Sequence, residues 1–177
     1  MHRHRTGFTL VELLVVSAIV VLLCGLAFPI LLKTRESARS TQCLNNLRQL
    51  ALGFRLYADL HNDRFPKPDD QPWFILIAPH LEMQEDVFFC PADPVEADLG
   101  YDWRDDAAAL PGSFLAGKKI SSLPKTDVVL LFDRLPDWHA DGTINVAMVS
   151  GAAKTLTLDE FEENLLMDVS LGELPAF

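Results

Sequence analysis

Residues 8–32 form an apolar run, FTLVELLVVSAIVVLLCGLAFPILL, of 25 residues whose one formal charge is Glu12. About 20 apolar residues are enough for a helix to cross the hydrocarbon core of a bilayer. A charge inside such a helix is costly, so it usually has a partner. The run predicts one N-terminal membrane helix, preceded by the short basic leader MHRHRT, in which Glu12 pairs with a specific group.

Other N-terminal signals fit this run less well. A cleaved secretory signal has an apolar core of about 7–15 residues and a small-residue exit site. A lipoprotein signal needs a small residue before its cysteine, but Cys24 follows two leucines. A plain signal anchor explains the length of the run and stays an alternative, although it does not explain the string Gly-Phe-Thr-Leu-Val-Glu from Gly7 to Glu12.

That string resembles the N-terminus of type IV prepilins and type II secretion pseudopilins. The resemblance implies that a prepilin peptidase cuts between Gly7 and Phe8 and methylates the new amine of Phe8. Glu12 then becomes mature position five, where the family carries its glutamate, and Pro29 matches a proline found in many pilins. The implied partner of Glu12 is the new α-amino group of a neighbouring subunit.

The same resemblance implies the location and the partners. The protein is expected in the bacterial inner membrane as a single-pass protein, with a short cytoplasmic N-terminus, a periplasmic head and an association with filaments. Lys and Arg near the two ends of the run do not favour this orientation by themselves, so the processing motif decides it. The implied partners are other pilin or pseudopilin subunits, the peptidase, an inner-membrane assembly platform and membrane lipid.

The rest of the chain is acidic and suits one domain. Residues 33–177 number 145 and carry 13 Lys and Arg against 24 Asp and Glu, a formal charge of −11. A nucleic-acid partner would need a basic stripe, so none is expected. The acidity favours solubility and mutual repulsion.

The predicted helix continues beyond the membrane. No proline and one glycine, Gly53, occur from Arg35 to Asn62. Apolar and aromatic residues recur at intervals of four and three, which marks one helix face. These residues are Cys43, Leu47, Leu50, Phe54, Tyr57 and His61. We therefore expect an amphipathic stem packed on a head, with domain limits of 1–7, 8–32, 33–62 and 63–177.

The head is predicted to consist of short helices and strands. The predicted class is therefore α+β, with the long helix packed on a small antiparallel sheet as in pilins. Thr157 and Glu160 form a capping box that begins a C-terminal helix. The stretch 93–117 is predicted to be irregular. The other predicted elements are a helix over 73–81, a strand over 87–90, a buried strand over 127–132, and a hairpin of 143–149 with 152–158 that turns at Ser150 and Gly151.

The stem and head also resemble a large, mostly uncharacterised subgroup of pilin-like proteins. The matching segments are Cys43 to Gln49 (CLNNLRQ), Cys90 to Asp93 (CPAD) and His139. That subgroup has Asp-Gly-His in its hairpin, about ten residues after the His, where this chain has Ser150-Gly151-Ala152. The resemblance thus supports the head fold and not a role tied to Asp-Gly-His.

The three cysteines are interpreted separately. Cys24 lies in the membrane run and is expected to act as a small apolar residue. Cys43 and Cys90 would face an oxidising compartment, where disulfides persist. They are therefore candidates for a bridge of about 3–4 kcal/mol between stem and head, with two buried thiols as the alternative.

Catalytic and metal-binding patterns are weak. The chain has no P-loop, HExxH, Gly-x-Ser-x-Gly or dinucleotide fingerprint, so no enzyme and no cofactor are expected. Asp137, His139 and Asp141 begin a sequence like a calcium loop, but a histidine stands at the second ligand position and Met148 at the last, so a calcium site is a weak hypothesis. Asp133 is interpreted as a turn residue or an ion-pair partner of Arg134.

These observations favour a structural subunit that assembles into a type IV pilus or a type II secretion pseudopilus. The main alternative is a monomeric, membrane-anchored binding domain that does not polymerise. A membrane-anchored hydrolase is the weakest interpretation, because no catalytic constellation is present.

Overall fold

The computed structural model describes residues 10–67, 71–82, 84–93, 99–104, 115–123, 127–134 and 142–169. The chain divides into two compact units, and the boundary lies between Ser37 and Ala38. The described part of the first unit is helical throughout. The second unit contains the four-stranded sheet and the remaining helices.

Helix α1 runs without a break from Leu10 to Leu60, as the predicted membrane helix and stem require. Its end is set by Asn62 and Asp63, which adopt left-handed conformations with φ of 58° and 64°. The amide of Asp63 donates to the carbonyl of Ala58 at 2.8 Å, so this turn satisfies a carbonyl that the helix end would leave free.

The buried face of α1 confirms the predicted stripe except at its last member. The residues from Cys43 to Tyr57 in that stripe are all buried. His61 is exposed, and its ring stacks on Tyr57 with ring centroids 3.8 Å apart. The helix has already ended at Leu60, so His61 no longer follows the helical period.

The sheet confirms the predicted α+β class. Its strands are β1 (Tyr101–Trp103), β2 (Val129–Asp133), β3 (Thr143–Met148) and β4 (Ala153–Thr157), in the order β1-β2-β3-β4 and all antiparallel. The predicted buried strand and hairpin correspond to β2, β3 and β4. The structure adds β1, which lies inside the stretch predicted to be irregular.

Each face of the sheet packs against one helix. Ala147 and Val149 belong to the core cluster that contains the buried face of α1. Ile144, Val146 and Met148 belong to a second cluster, joined by Phe161 of helix α3 (Leu158–Val169). The alternation along β3 therefore builds two cores, one on each side of the sheet.

An irregular register in β2 places an additional side chain in the first of these cores. The register against β3 shifts between Val129 and Leu131. Leu130 and Leu131 consequently both join the cluster of α1, whereas Val129 joins that of α3. An extra residue of this kind re-aims side chains without ending the strand.

The short elements between stem and sheet correct one prediction. Helix α2 covers Trp73–Ile77 and continues as a 3-10 helix over Ala78–Leu81, so the predicted helix is present and tightens near Pro79. The predicted strand at 87–90 is wrong, because Glu85–Phe88 form a 3-10 helix. Val87 and Phe88 pack on the core of the head and are buried there. A short apolar run of this kind has the same sequence pattern in a buried helical turn as in a strand.

Candidate functional site

The N-terminal part of α1 has the length and composition of a membrane-crossing helix. None of the 18 residues in its most apolar stretch is buried, and the helix is long and apolar enough to cross a membrane. Glu12 is the acidic residue of the first turn and is exposed. A carboxylate suits this end of a helix, since the backbone N–H groups and the helix dipole favour negative charge there.

Several residues proposed from the sequence lie outside the described part of the chain. Gly7 and Phe8, the predicted cleavage and methylation site, are among them, so that site stays a prediction. Asp137, His139 and Asp141 are also outside it, so the calcium loop stays a hypothesis. In the described ranges no group of three or more His, Cys, Asp or Glu could hold a metal ion.

A disulfide joins the stem to the head. Cys43 of α1 and Cys90 are bonded, with Cα atoms 5.1 Å apart, and both are buried. The side-chain amide of Asn46 donates to the carbonyl of Phe89 at 3.0 Å, one helical turn further along α1. Stem and head are therefore linked here by a covalent bond and by a hydrogen bond beside it.

The start of β1 packs closely on this disulfide. Tyr101 donates its hydroxyl to the carbonyl of Cys43 at 3.3 Å. A Cβ added at Gly100 would overlap the backbone nitrogen of Cys90, so only glycine fits at that position. Burial, and then the nearby charge of Asp133, raise the pKa of Tyr101 well above its usual range. The phenol thus stays protonated, which preserves this hydrogen bond.

A second polar cluster lies inside the head around Asn145, which is fully buried in β3. Its backbone N–H donates to Oδ2 of Asp133 at 2.8 Å, and its Oδ1 accepts from the hydroxyl of Thr155 at 2.7 Å. Its Nδ2 donates to Oγ of Ser40 at 3.4 Å. The side chain of Asn145 thus links the stem to β4, and its backbone N–H binds the end of β2.

Sequence reasoning missed this cluster. Asp133 lies at the end of β2 and is fully buried, so it is not the turn residue that the sequence suggested. The available signal was Asn145 itself, a polar residue within the otherwise apolar core of β3. Buried polar groups are almost always hydrogen-bonded, so such a residue indicates partners nearby.

Two arginines of α1 hold the β3–β4 hairpin. Arg55 donates to the carbonyl of Ser150 at 3.0 Å, and Arg48 donates to that of Ala153 at 3.4 Å. Gly151 takes a φ of 88° in the turn between them. The resembling subgroup has Asp-Gly-His at this place. Here the chain has a small turn, and the two arginines of the stem hold it in position.

Comparisons with known proteins agree with this arrangement. Residues 2–28 match the family model described as the prokaryotic N-terminal methylation motif. Residues 33–87 match the model described as Protein of unknown function (DUF1559), which covers the stem and the first part of the head. Neither a curated protein nor a solved structure matches the chain. Together with the long N-terminal helix and the antiparallel sheet, these two matches support a type IV pilin-like protein of the prepilin type.

Proposed function

We propose that this protein is a structural subunit of a type IV pilus or a type II secretion pseudopilus. A prepilin peptidase cuts it between Gly7 and Phe8 and methylates Phe8. The observation that carries the proposal is the N-terminal methylation motif, which includes Glu12. Glu12 lies in the first turn of α1, and this helix is apolar enough to cross a membrane. The role needs no catalytic group and no cofactor.

Glu12 gives the subunit a reason to assemble. A charge near a membrane centre costs about 2.5–3.5 kcal/mol on insertion scales, and less near the edge, and an opposite charge beside it offsets this cost. The new α-amino group of a neighbouring subunit neutralises the carboxylate once the two helices pack together. Assembly is therefore favoured over the free subunit in lipid, and the assembly platform of the inner membrane supplies the neighbours.

The Cys43–Cys90 bond supports a head outside the cytoplasm, since disulfides persist mainly in oxidising compartments. The proposed topology has a leader at 1–7, an assembly helix at 8–32, a stem at 33–62 and a periplasmic head at 63–177. This division goes with the proposed processing, because removal of the leader exposes the amine that Glu12 needs.

Mass spectrometry of the protein from its native membrane tests the processing. We expect a mature chain that begins at methylated Phe8. A chain that still carries MHRHRTG in cells with an active prepilin peptidase would overturn the proposal. It would support the monomeric, membrane-anchored binding domain instead.

Assembly is tested by Glu12→Ala, which we expect to be processed but left out of filaments. In this variant the neighbour's amine has no carboxylate partner in the apolar layer. The yield of filaments in sheared cell fractions should therefore fall by about tenfold or more, which corresponds to a loss of about 1.4 kcal/mol of assembly free energy. Glu36→Ala is the control, because Glu36 lies beyond the apolar run. Normal incorporation of the Glu12→Ala protein would contradict the role of Glu12.

A further inference from the structure

The face of the stem opposite the core carries a row of exposed leucines. Leu52, Leu56 and Leu60 are 54%, 39% and 72% exposed. Residues four apart lie above one another on a helix, so the three form a continuous ridge about 12 Å long. We call these three residues the leucine ridge. The core of the head uses the other face of α1, which leaves the leucine ridge available for another contact.

The head carries an apolar groove on a different part of its surface. This groove has a volume of about 460 Å³ and lies between α2 and the 3-10 helix Glu85–Phe88. Its walls include Phe74, Ile75, Phe88, Phe89 and Leu99, and Glu85 also lines it. Ile75 is 46% exposed and Phe89 is 42% exposed. We call it the aromatic groove, and apolar surfaces of this kind are typical of protein interaction sites.

The charges around the two surfaces are opposite. Glu85 lines the aromatic groove, whereas the nearby Asp86 and Asp93 line a separate pocket together with Arg39. The stem over 45–60 has Arg48 and Arg55 against one acid, Asp59. Arg55 comes three residues after Leu52, so it flanks the leucine ridge. The leucine ridge with Arg55 beside it therefore complements the aromatic groove with Glu85 in its wall, which favours this pairing over ridge on ridge.

We propose that the leucine ridge of one copy of this chain docks into the aromatic groove of the next copy. This inference rests on the proposed function, since it names the contact between heads in the assembly. The ridge and the groove are different surfaces of the same chain, so each copy offers a free groove after its ridge is occupied. A contact of this type repeats head to tail and builds an open filament.

Paired cysteines in the full-length protein test the contact. In a Cys24→Ser background, Leu56→Cys and Ile75→Cys are introduced into the same chain and oxidised in membranes. We expect a ladder of dimers, trimers and longer products, because each chain then bonds to two neighbours. Each single variant should give no ladder. Asp159→Cys with Ile75→Cys is the matched control, since Asp159 is exposed on α3, away from the ridge.

A charge exchange gives a second readout. Arg55 also donates to the carbonyl of Ser150 in its own chain, but the loss of that bond would not be repaired by a substitution at Glu85. Arg55→Glu should lower the yield of the ladder about two- to fivefold, the range expected for one exposed ion pair. Glu85→Arg alone should do the same. The two substitutions together should restore the yield, because the pair is reversed and kept. Failure of the double variant to recover, with its melting temperature unchanged, would overturn the contact.

The outcomes separate this inference from the proposed function. Filaments in sheared fractions without a ladder would overturn the ridge-and-groove contact and leave the filament role intact. A product that stops at dimers, or a strong Leu56→Cys single cross-link, would also overturn it, because either result indicates a closed pair. The absence of both filaments and ladder would overturn both proposals.

Discussion

At the scale of single residues, Cys43 and Cys90 limit how far the stem can separate from the head. They are 47 positions apart in sequence, so the bond closes a long loop in the unfolded chain. The chain-entropy model gives such a bond about 3–4 kcal/mol. We expect Cys43→Ser with Cys90→Ser to lower the free energy of unfolding by that amount, as measured by urea denaturation of the full-length protein in detergent.

Cys24→Ser is the matched control for this loss, because Cys24 is a free and exposed cysteine. It should unfold like the unaltered protein. The double variant should also become insensitive to a reducing agent that destabilises the protein with its bond intact. A double variant that is as stable as the unaltered protein would contradict the role of the bond.

At the scale of elements, the start of α3 depends on a reciprocal cap. The amide of Thr157 donates to Oε2 of Glu160 at 2.9 Å, and the amide of Glu160 donates to Oγ1 of Thr157 at 3.3 Å. These contacts confirm the predicted capping box. Thr157→Ala should destabilise the protein by about 0.5–2 kcal/mol, the usual effect of losing a Thr cap. Thermal unfolding at neutral pH measures this loss.

The cap also predicts a pH dependence. The hydrogen bond from the Thr157 amide, and then that from its hydroxyl, lower the pKa of Glu160 in the folded protein. Stability from this pair is therefore present above the unfolded pKa and is lost as the pH falls through the lower, folded pKa. Glu160→Gln should remove that part of the acid sensitivity while keeping an acceptor for the cap. Identical acid unfolding curves for both proteins would contradict this account.

The elements differ in how far the sequence predicted them. The capping box and the β3–β4 hairpin were predictable because their signals lie within a few residues. Strand β1 was missed because it has only three residues and pairs with β2 about 30 positions later. Cys43 and Cys90 were visible as candidates, but their separation depends on how α1 packs, which local patterns do not contain. The contacts of Asn145 depend on that packing too.

At the scale of the whole molecule, the two proposed kinds of subunit contact respond differently to salt. The apolar helix and Glu12 would associate in hydrocarbon, where dissolved ions do not reach. Arg55 and Glu85 are exposed, so their contact in a neighbouring pair would be screened. The filament should therefore depend on the helix for its stability and on the heads for the orientation of its subunits.

Salt therefore distinguishes the two kinds of subunit contact in one experiment. Raising the ionic strength from about 0.15 M to about 1 M shortens the Debye length from about 8 Å to about 3 Å. The amount of sedimented filament should stay the same, because burial of the apolar helix does not weaken with salt. The difference in ladder yield between the unaltered head and its Arg55→Glu variant should disappear, because the ion pair is screened in both. Filaments that dissolve at high salt would instead assign their stability to charged heads and contradict the dominance of the helix.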